Sequence, residues 1–260
     1  MATPDCAFSL ITALRYDQAL LSAPFNTSVN YGTPTPFLLL PYHADRLRSA
    51  AARHGGRWVQ VAQSVTVESF ERACMNAVKL HGGIGPFKVR FALATDGAQD
   101  VTVSPLPVLS HPEDPFRASS FIPDVSEHPS FTLHLDTAPT PSSIFTSTKT
   151  THRKHYDAAR IRHSLVWGQP ADVLLYDAFS VLSETTTRNV AFYRSGRWLT
   201  PADPSGCLEG VTRRWLIEQG RVALDEDRLL RKDDVQEGEI ALVFNAVDGC
   251  RLAIVRRGGN

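Results

Sequence analysis

Six prolines fall between positions 105 and 129, with little periodic patterning among them. Proline fixes φ and lacks a backbone N–H, so neither a helix nor an inner strand runs through such a segment. A chain of 260 residues interrupted there is expected to fold as two packed halves, each large enough to bury a core. The expected division is a first domain at 1–107, a connection at 108–129 and a second domain at 130–260. Both halves mix helical and strand periodicity, which places the chain in the α+β class.

Composition narrows the partners. Apolar residues make up 43% and charged residues 21%, as in an ordinary soluble globular protein, and the formal net charge is zero. Bulk electrostatics therefore point to neither nucleic acid nor a membrane surface, and no run approaches transmembrane length. Cys6, Cys74, Cys207 and Cys250 are scattered, with no C-x-x-C and no zinc spacing. They read as reduced thiols of a cytoplasmic protein without a bound metal. Asn26-Thr-Ser28 matches a glycosylation sequon, which stays idle without a secretory signal.

In the first half, 8–16 reads as a strand or a strand-helix junction and 17–36 mostly as loop. A short strand at 37–40 leads into a helix with Leu47, Ala50, Ala51 and His54 on one face, stopped by Gly55-Gly56. A second helix spans 66–80, capped by Thr66, with Phe70, Cys74, Ala77 and Val78 inward. Gly82-Gly-Ile-Gly85 lacks the lysine and hydroxyl of a phosphate loop and reads as a helix stop. Residues 87–94 alternate as a half-buried strand and return through Asp96-Gly97 to 101–103.

The second half opens with a strand at 131–136 and then carries the most ordered arrangement of polar residues, 147–189. Lys149 sits in a Ser/Thr run. A helical pattern follows, with Tyr156, Ala158, Ala159, Ile161, Leu165 and Val166 spaced as one buried face. A strand at 172–177, a turn at 178–180 and a segment reading Ser183-Glu184-Thr-Thr-Thr-Arg-Asn189 complete it. Further on, Leu208-Glu-Gly-Val-Thr-Arg213 leads into a helix at 213–219, and 240–247 reads as a buried strand before an Asp248-Gly249 turn.

This block resembles the lysine-to-glutamate block of the fold-type IV pyridoxal-phosphate enzymes, which include the branched-chain and D-amino-acid aminotransferases and aminodeoxychorismate lyase. Their pattern is a lysine, a helix, an "LLLD" strand, a turn and "EGxxxN"; Thr185 here replaces the glycine. The wording from Lys149 to Arg160 is most similar to the lyase branch. Leu208–Arg213 resembles the family's "L-x-G-I/V-T/M-R", His43-Ala-Asp-Arg-Leu47 resembles "eHxxRL", and the segment from Phe8 resembles "vFETLR". In the family that last segment follows a further pair of strands, whereas this chain begins almost directly at it.

The resemblance implies a two-domain fold of the D-amino-acid-aminotransferase type, a small N-terminal α/β sandwich and a C-terminal pseudo-barrel, with pyridoxal 5'-phosphate between them. It implies that Lys149 bonds the cofactor and moves the substrate proton, and that Glu184 partners the pyridine nitrogen. Arg46 is implied at the phosphate, where a planar guanidinium fork suits the oxygens. Gly210, Val211 and Thr212 are implied there too, at a helix N-terminus. Asn245 and Ala246 stand where the family often has threonine or serine followed by alanine. His152, Thr12 and Arg15 are further candidates to line the pocket, and Tyr156 reads as core. A homodimer is implied.

The implied activity is lysis of 4-amino-4-deoxychorismate to 4-aminobenzoate and pyruvate, for folate synthesis. A class IV aminotransferase would use the same lysine and glutamate, so these residues leave both open. The abrupt opening and Thr185 also leave room for a cofactor-binding relative without turnover.

Overall fold

The computed structural model describes residues 8–123, 129–202 and 205–258. Cys6 and positions 124–128 of the expected connection lie outside these. Two units emerge, one comprising Met1–Glu113 with Thr148–His152, the other Asp114–Ser147 with Arg153–Asn260. The sequence reading kept Lys149 with the second half; its backbone instead joins the first unit, because 149–151 pair with the start of the first strand.

The first unit is a three-stranded antiparallel sheet of β1 (Leu10–Tyr16), β2 (Phe87–Leu93) and β3 (Gln99–Pro105), in the order β1-β2-β3. Between β1 and β2 lie α1 (Pro24–Val29), α2 (Leu40–His54), α3 (Arg57–Ala62) and α4 (Val67–Leu80). Leu40, Ala44, Leu47 and Ala51 bury one stripe of α2, the spacing an amphipathic helix requires. They join Leu10, Leu14, Phe70 and Phe91 in one core. Gly55 ends α2 with φ of 68° and its N–H on the Ala51 carbonyl, a left-handed turn that glycine makes without strain. Thr66 and Ser69 cap α4 reciprocally, each side-chain oxygen receiving the other's backbone N–H, at 3.1 and 3.0 Å.

Two readings of this half are corrected. No strand forms at 37–40: Phe37 makes a single bridge to Tyr16, and Leu39 takes φ of 54° to start α2. The 17–36 loop holds a 3-10 turn (Gln18–Ser22) and α1. Asn26, the sequon asparagine, is fully buried and holds the turn together. Its amide donates to the Thr35 and Phe37 carbonyls and accepts from Leu39 N at 3.0 Å.

The second unit is an eight-stranded mixed sheet. Its strands are β4 (Thr132–Leu135), β5 (Ala171–Tyr176), β6 (Leu182–Thr185), β7 (Asn189–Arg194), β8 (Arg197–Pro201), β9 (Ala223–Asp225), β10 (Ile240–Asn245) and β11 (Gly249–Arg256). Their order is β6-β5-β4-β11-β10-β7-β8-β9. Although β6 ends one side of that order, it also lies against β7 and β8 near the other, so the sheet curls into a half-barrel. Three helices accompany it, α5 (Ile144–Ser147), α6 (Lys154–Arg162) and α7 (Val211–Glu218). The inner core gathers Leu133, Leu174, Val190, Phe192, Val243 and Val255. On the other face of β5, Val173 and Leu175 pack on Tyr156 and Ala159 of α6. Burial on both faces explains why β5 reads as a nearly continuous apolar run.

The expected buried face of α6 is also corrected. The helix ends at Arg162, Ala158 is exposed, and Ile161 and Val166 are 76% and 62% exposed. Tyr156, Ala159 and Arg160 face inward instead. The segment read as connection is partly packed, with Phe116 fully buried and its ring 4.6 Å from that of Trp215. Among the described residues no helix is long and apolar enough to cross a membrane.

Candidate active site

Lys149 and Arg46 belong to the first unit. Ile11 N donates to the Lys149 carbonyl at 2.9 Å, and Thr151 N donates to the Ser9 carbonyl at 2.9 Å. Lys149 therefore sits on a short extended strap along β1, its backbone fixed on both sides. Thr148 Oγ1, one residue before it, is 2.9 Å from His54 Nε2 at the end of α2. Across the same face of β1, Thr12 and His43 are fully buried and Thr12 Oγ1 lies 2.6 Å from His43 Nδ1. Arg46, one turn along α2 from His43, donates to Thr12 Oγ1. Its Nε is buried with no partner among the described residues, and burial pushes the guanidinium down to about 10. His43 is held well below the ordinary histidine value by burial, then by the charges of Arg46 and Lys149. Arg15 points elsewhere, into a pair with Asp17 and a bond to the Pro107 carbonyl at 2.8 Å.

Glu184 belongs to the second unit, and a register shift aims it. On β5 and β6, Leu174 opposes Thr185 and Tyr176 opposes Leu182, with a bulge between the pairs. Leu182 and Thr185 thus share the side of Leu174, and Glu184 faces α6. There Tyr156 donates to Glu184 Oε1 at 2.7 Å, and Leu208 N donates to the same oxygen at 3.3 Å. Burial and the neighbouring carboxylate hold the Tyr156 phenol well above its ordinary value, so it remains a donor. Ser142, Thr146, Ser183 and Ser205 line a small cleft beside this pair.

The loop after Glu184 is held by a carboxylate that the sequence reading did not single out. Asp172 on β5 is fully buried. It accepts from Thr185 Oγ1 at 2.8 Å and from Thr186 N and Thr187 N at 3.2 Å each, and also from the hydroxyls of Thr186 and Thr187. Arg160 and Arg188 balance its charge at 3.7 and 3.5 Å. The substitution of threonine for the family's glycine at 185 thus supplies a ligand to Asp172.

Asn189, at the end of this loop, reaches the start of α7. Its Nδ2 donates to the Leu208 carbonyl at 2.8 Å. A Cβ on Gly210 would fall 2.0 Å from Asn189 Oδ1, so glycine lets the chain pass with the Asn189 side chain in place. Gly210 is the N-cap residue and offers no side chain. Val211 and Thr212 open α7, two residues earlier than the expected helix start, and the buried Thr212 Oγ1 has no partner among the described residues. Arg213 turns away to the Pro201 carbonyl at 2.6 Å. A helix N-terminus with uncapped N–H groups, a glycine cradle and an orphaned hydroxyl is a receptor for an anion. Asn245 is largely committed to the β10–β11 turn: its Oδ1 accepts from Val247 N and Asp248 N, and its Nδ2 donates to Asp248. Ala246 is buried beside it. Among the described residues no group of His, Cys, Asp and Glu is placed to hold a metal.

Geometry and sequence meet in one family. The chain belongs to the class IV aminotransferases, whose family model, described as amino-transferase class IV, matches residues 27–253. A protein of Schizosaccharomyces pombe, provisionally named an aminodeoxychorismate lyase, is 32% identical over 215 residues, covering 80% of each chain. Among solved structures, a provisionally named amino-acid aminotransferase from Mesorhizobium loti aligns with a TM-score of 0.65 at 23% identity, covering 95% of this chain and 99% of that one. A hypothetical aminotransferase from Mycobacterium tuberculosis, in an α-ketoglutarate- and PMP-bound form, aligns at 0.64 with 16% identity, covering 100% and 89%. At these identities the two structures speak to the fold alone.

Proposed function

We propose that this chain is a pyridoxal-phosphate-dependent 4-amino-4-deoxychorismate lyase, releasing 4-aminobenzoate and pyruvate. The observation that carries the lyase over the aminotransferase is the 32% identity, across 80% of both chains, to the Schizosaccharomyces pombe protein of that name. The residues fit the cofactor chemically. The orphaned Thr212 hydroxyl and the Gly210 cradle at α7 suit a phosphate, as does the partly unpartnered Arg46. The buried Glu184 suits a protonated pyridine nitrogen.

When bound, pyridoxal phosphate supplies an electron sink for the pair released at the substrate. The work left to the protein divides by residue. Lys149 Nζ would bond the cofactor and serve as base and acid at the substrate carbon. Glu184, held by Tyr156 and Leu208 N, would be the acidic partner of the ring nitrogen. The phosphate would be held by Thr212 and the N–H groups of α7, with Asn245 and Ala246 as minor contributors, and Arg46 would supply a guanidinium to it. Loss of the proton and departure of the enolpyruvyl group leave an aromatic ring, which makes the lysis favourable without an amino acceptor. The same reading includes a cytoplasmic homodimer that supplies 4-aminobenzoate for folate synthesis.

The test is an absorption spectrum of the purified protein and of Lys149→Ala, followed by addition of 4-amino-4-deoxychorismate. A visible cofactor band in the wild type, lost in the variant, and release of pyruvate with no amino acceptor are expected. Bleaching by an amino acid and recovery with a keto acid would instead assign an aminotransferase. A protein that takes up no cofactor would refute the reading altogether.

A further inference from the structure

The Thr12 hydroxyl stands between a guanidinium and an imidazole. A guanidinium only donates, so Thr12 Oγ1 accepts from Arg46. Its 2.6 Å bond to His43 Nδ1 lets the hydroxyl donate in turn to the ring when Nδ1 is unprotonated. Burial first holds His43 neutral, and a neutral ring can present Nδ1 to the hydroxyl as an acceptor. A charged imidazole would instead donate from Nδ1 to Thr12 Oγ1, in a site where Thr12 and His43 are both 0% exposed. It would also add a third cation beside Arg46 and Lys149. Arg46 makes no ion pair among the described residues, and Thr12 holds only one of its nitrogens. A charge kept partly unmatched, and gripped at one end by a fixed neutral acceptor, has its remaining donors aimed.

We propose that Thr12 and His43 are positioning residues that aim the Arg46 guanidinium at the phosphate of the bound cofactor. This rests on the cofactor reading above. A hydroxyl between two long side chains would otherwise rotate; His43 removes that freedom, so the fork of Arg46 meets the phosphate without a reorganisation cost. Burial alone does not ask for this arrangement. Valine at position 12 would fill the same space between β1 and α2 but would leave Arg46 unguided.

The experiment titrates wild type, Thr12→Val and Thr12→Ser with pyridoxal phosphate and with pyridoxal, which lacks the phosphate, following absorbance and checking the fold by circular dichroism. Wild type is expected to prefer the phosphorylated form strongly. Thr12→Val should lose about tenfold of that preference, the scale of one charge-assisted hydrogen bond, with pyridoxal affinity unchanged, and Thr12→Ser should restore it. If Thr12→Val does not fold, His43→Leu carries the same test from the other end of the chain and should show the same selective loss. Equal weakening toward both ligands, or a full phosphate preference in the variants, would overturn the positioning role while leaving the cofactor reading intact. A wild type that binds neither ligand would remove the cofactor reading and this inference with it.

Discussion

Asp172 shows what one buried carboxylate does when its donors are matched to it. Backbone N–H groups, threonine hydroxyls and two guanidinium groups surround it, so the charge is solvated by the protein in place of water. Asp172→Ala strands these donors and two arginines at once. It is expected to destabilise the fold by about 3 kcal/mol or more, read as a lower urea midpoint at unchanged slope. An unmoved midpoint would show that the threonine loop stands without it. None of this was legible from the residues alone. Thr185 read only as a departure from glycine, and its partner lies 13 residues upstream on the neighbouring strand. Lys149, Glu184, Arg46 and Thr212 were put forward through sequence motifs, whereas Thr12 was noted as a pocket candidate and its link to Arg46 emerged only in three dimensions.

Elements were legible where one apolar periodicity ruled them. The helices α2 and α4 and the strands β2 and β5 follow their spacing, because each presents a stripe or a face to a core. The misses have physical causes. The helices α1 and α3 are six residues each, too short to show a period. For α6 the rule inverts: Arg160 turns inward to Thr186 and the Val166 carbonyl while Ile161 stays in solvent, because this helix serves a polar network. At α7 the decisive feature is a missing side chain. Gly210→Ala would drive its Cβ against Asn189 and displace the residue that fixes the Leu208 carbonyl. Affinity for pyridoxal phosphate should fall about tenfold, some 1.4 kcal/mol, in an absorbance titration; unchanged affinity would show that α7 does not receive the phosphate.

For the whole molecule, buried neutral histidine couples folding to pH. His43 is depressed well below 6.5 in the fold, by burial first and then by Arg46 and Lys149, but returns to that ordinary value when unfolded. Below about pH 6.5 the unfolded chain then binds a proton that the native chain refuses, so stability is complete above that value and declines as the solution is acidified. The slope approaches about 1.4 kcal/mol per pH unit for one such group. Melting curves at pH 7.5, 6 and 5 should show the decline, and His43→Gln should flatten it. His54 and His134, also depressed by burial, would leave a residual slope. Parallel wild-type and variant profiles would show that His43 is not the group responsible.

The strap that carries Lys149 has a consequence for modularity. The chain passes from one unit to the other at Glu113/Asp114, returns at Ser147/Thr148 and leaves again at His152/Arg153. No single cut therefore yields an intact half: a fragment ending at the first crossing lacks the segment that hydrogen-bonds along β1, and the remainder carries a five-residue strap in which Lys149 O and Thr151 N have lost their backbone partners. Recombination among relatives would have to exchange a discontinuous block, the opening stretch together with a pentapeptide from the middle of the gene. A single crossover between β1 and the strap grafts the lysine of one ancestor onto the β1 of another.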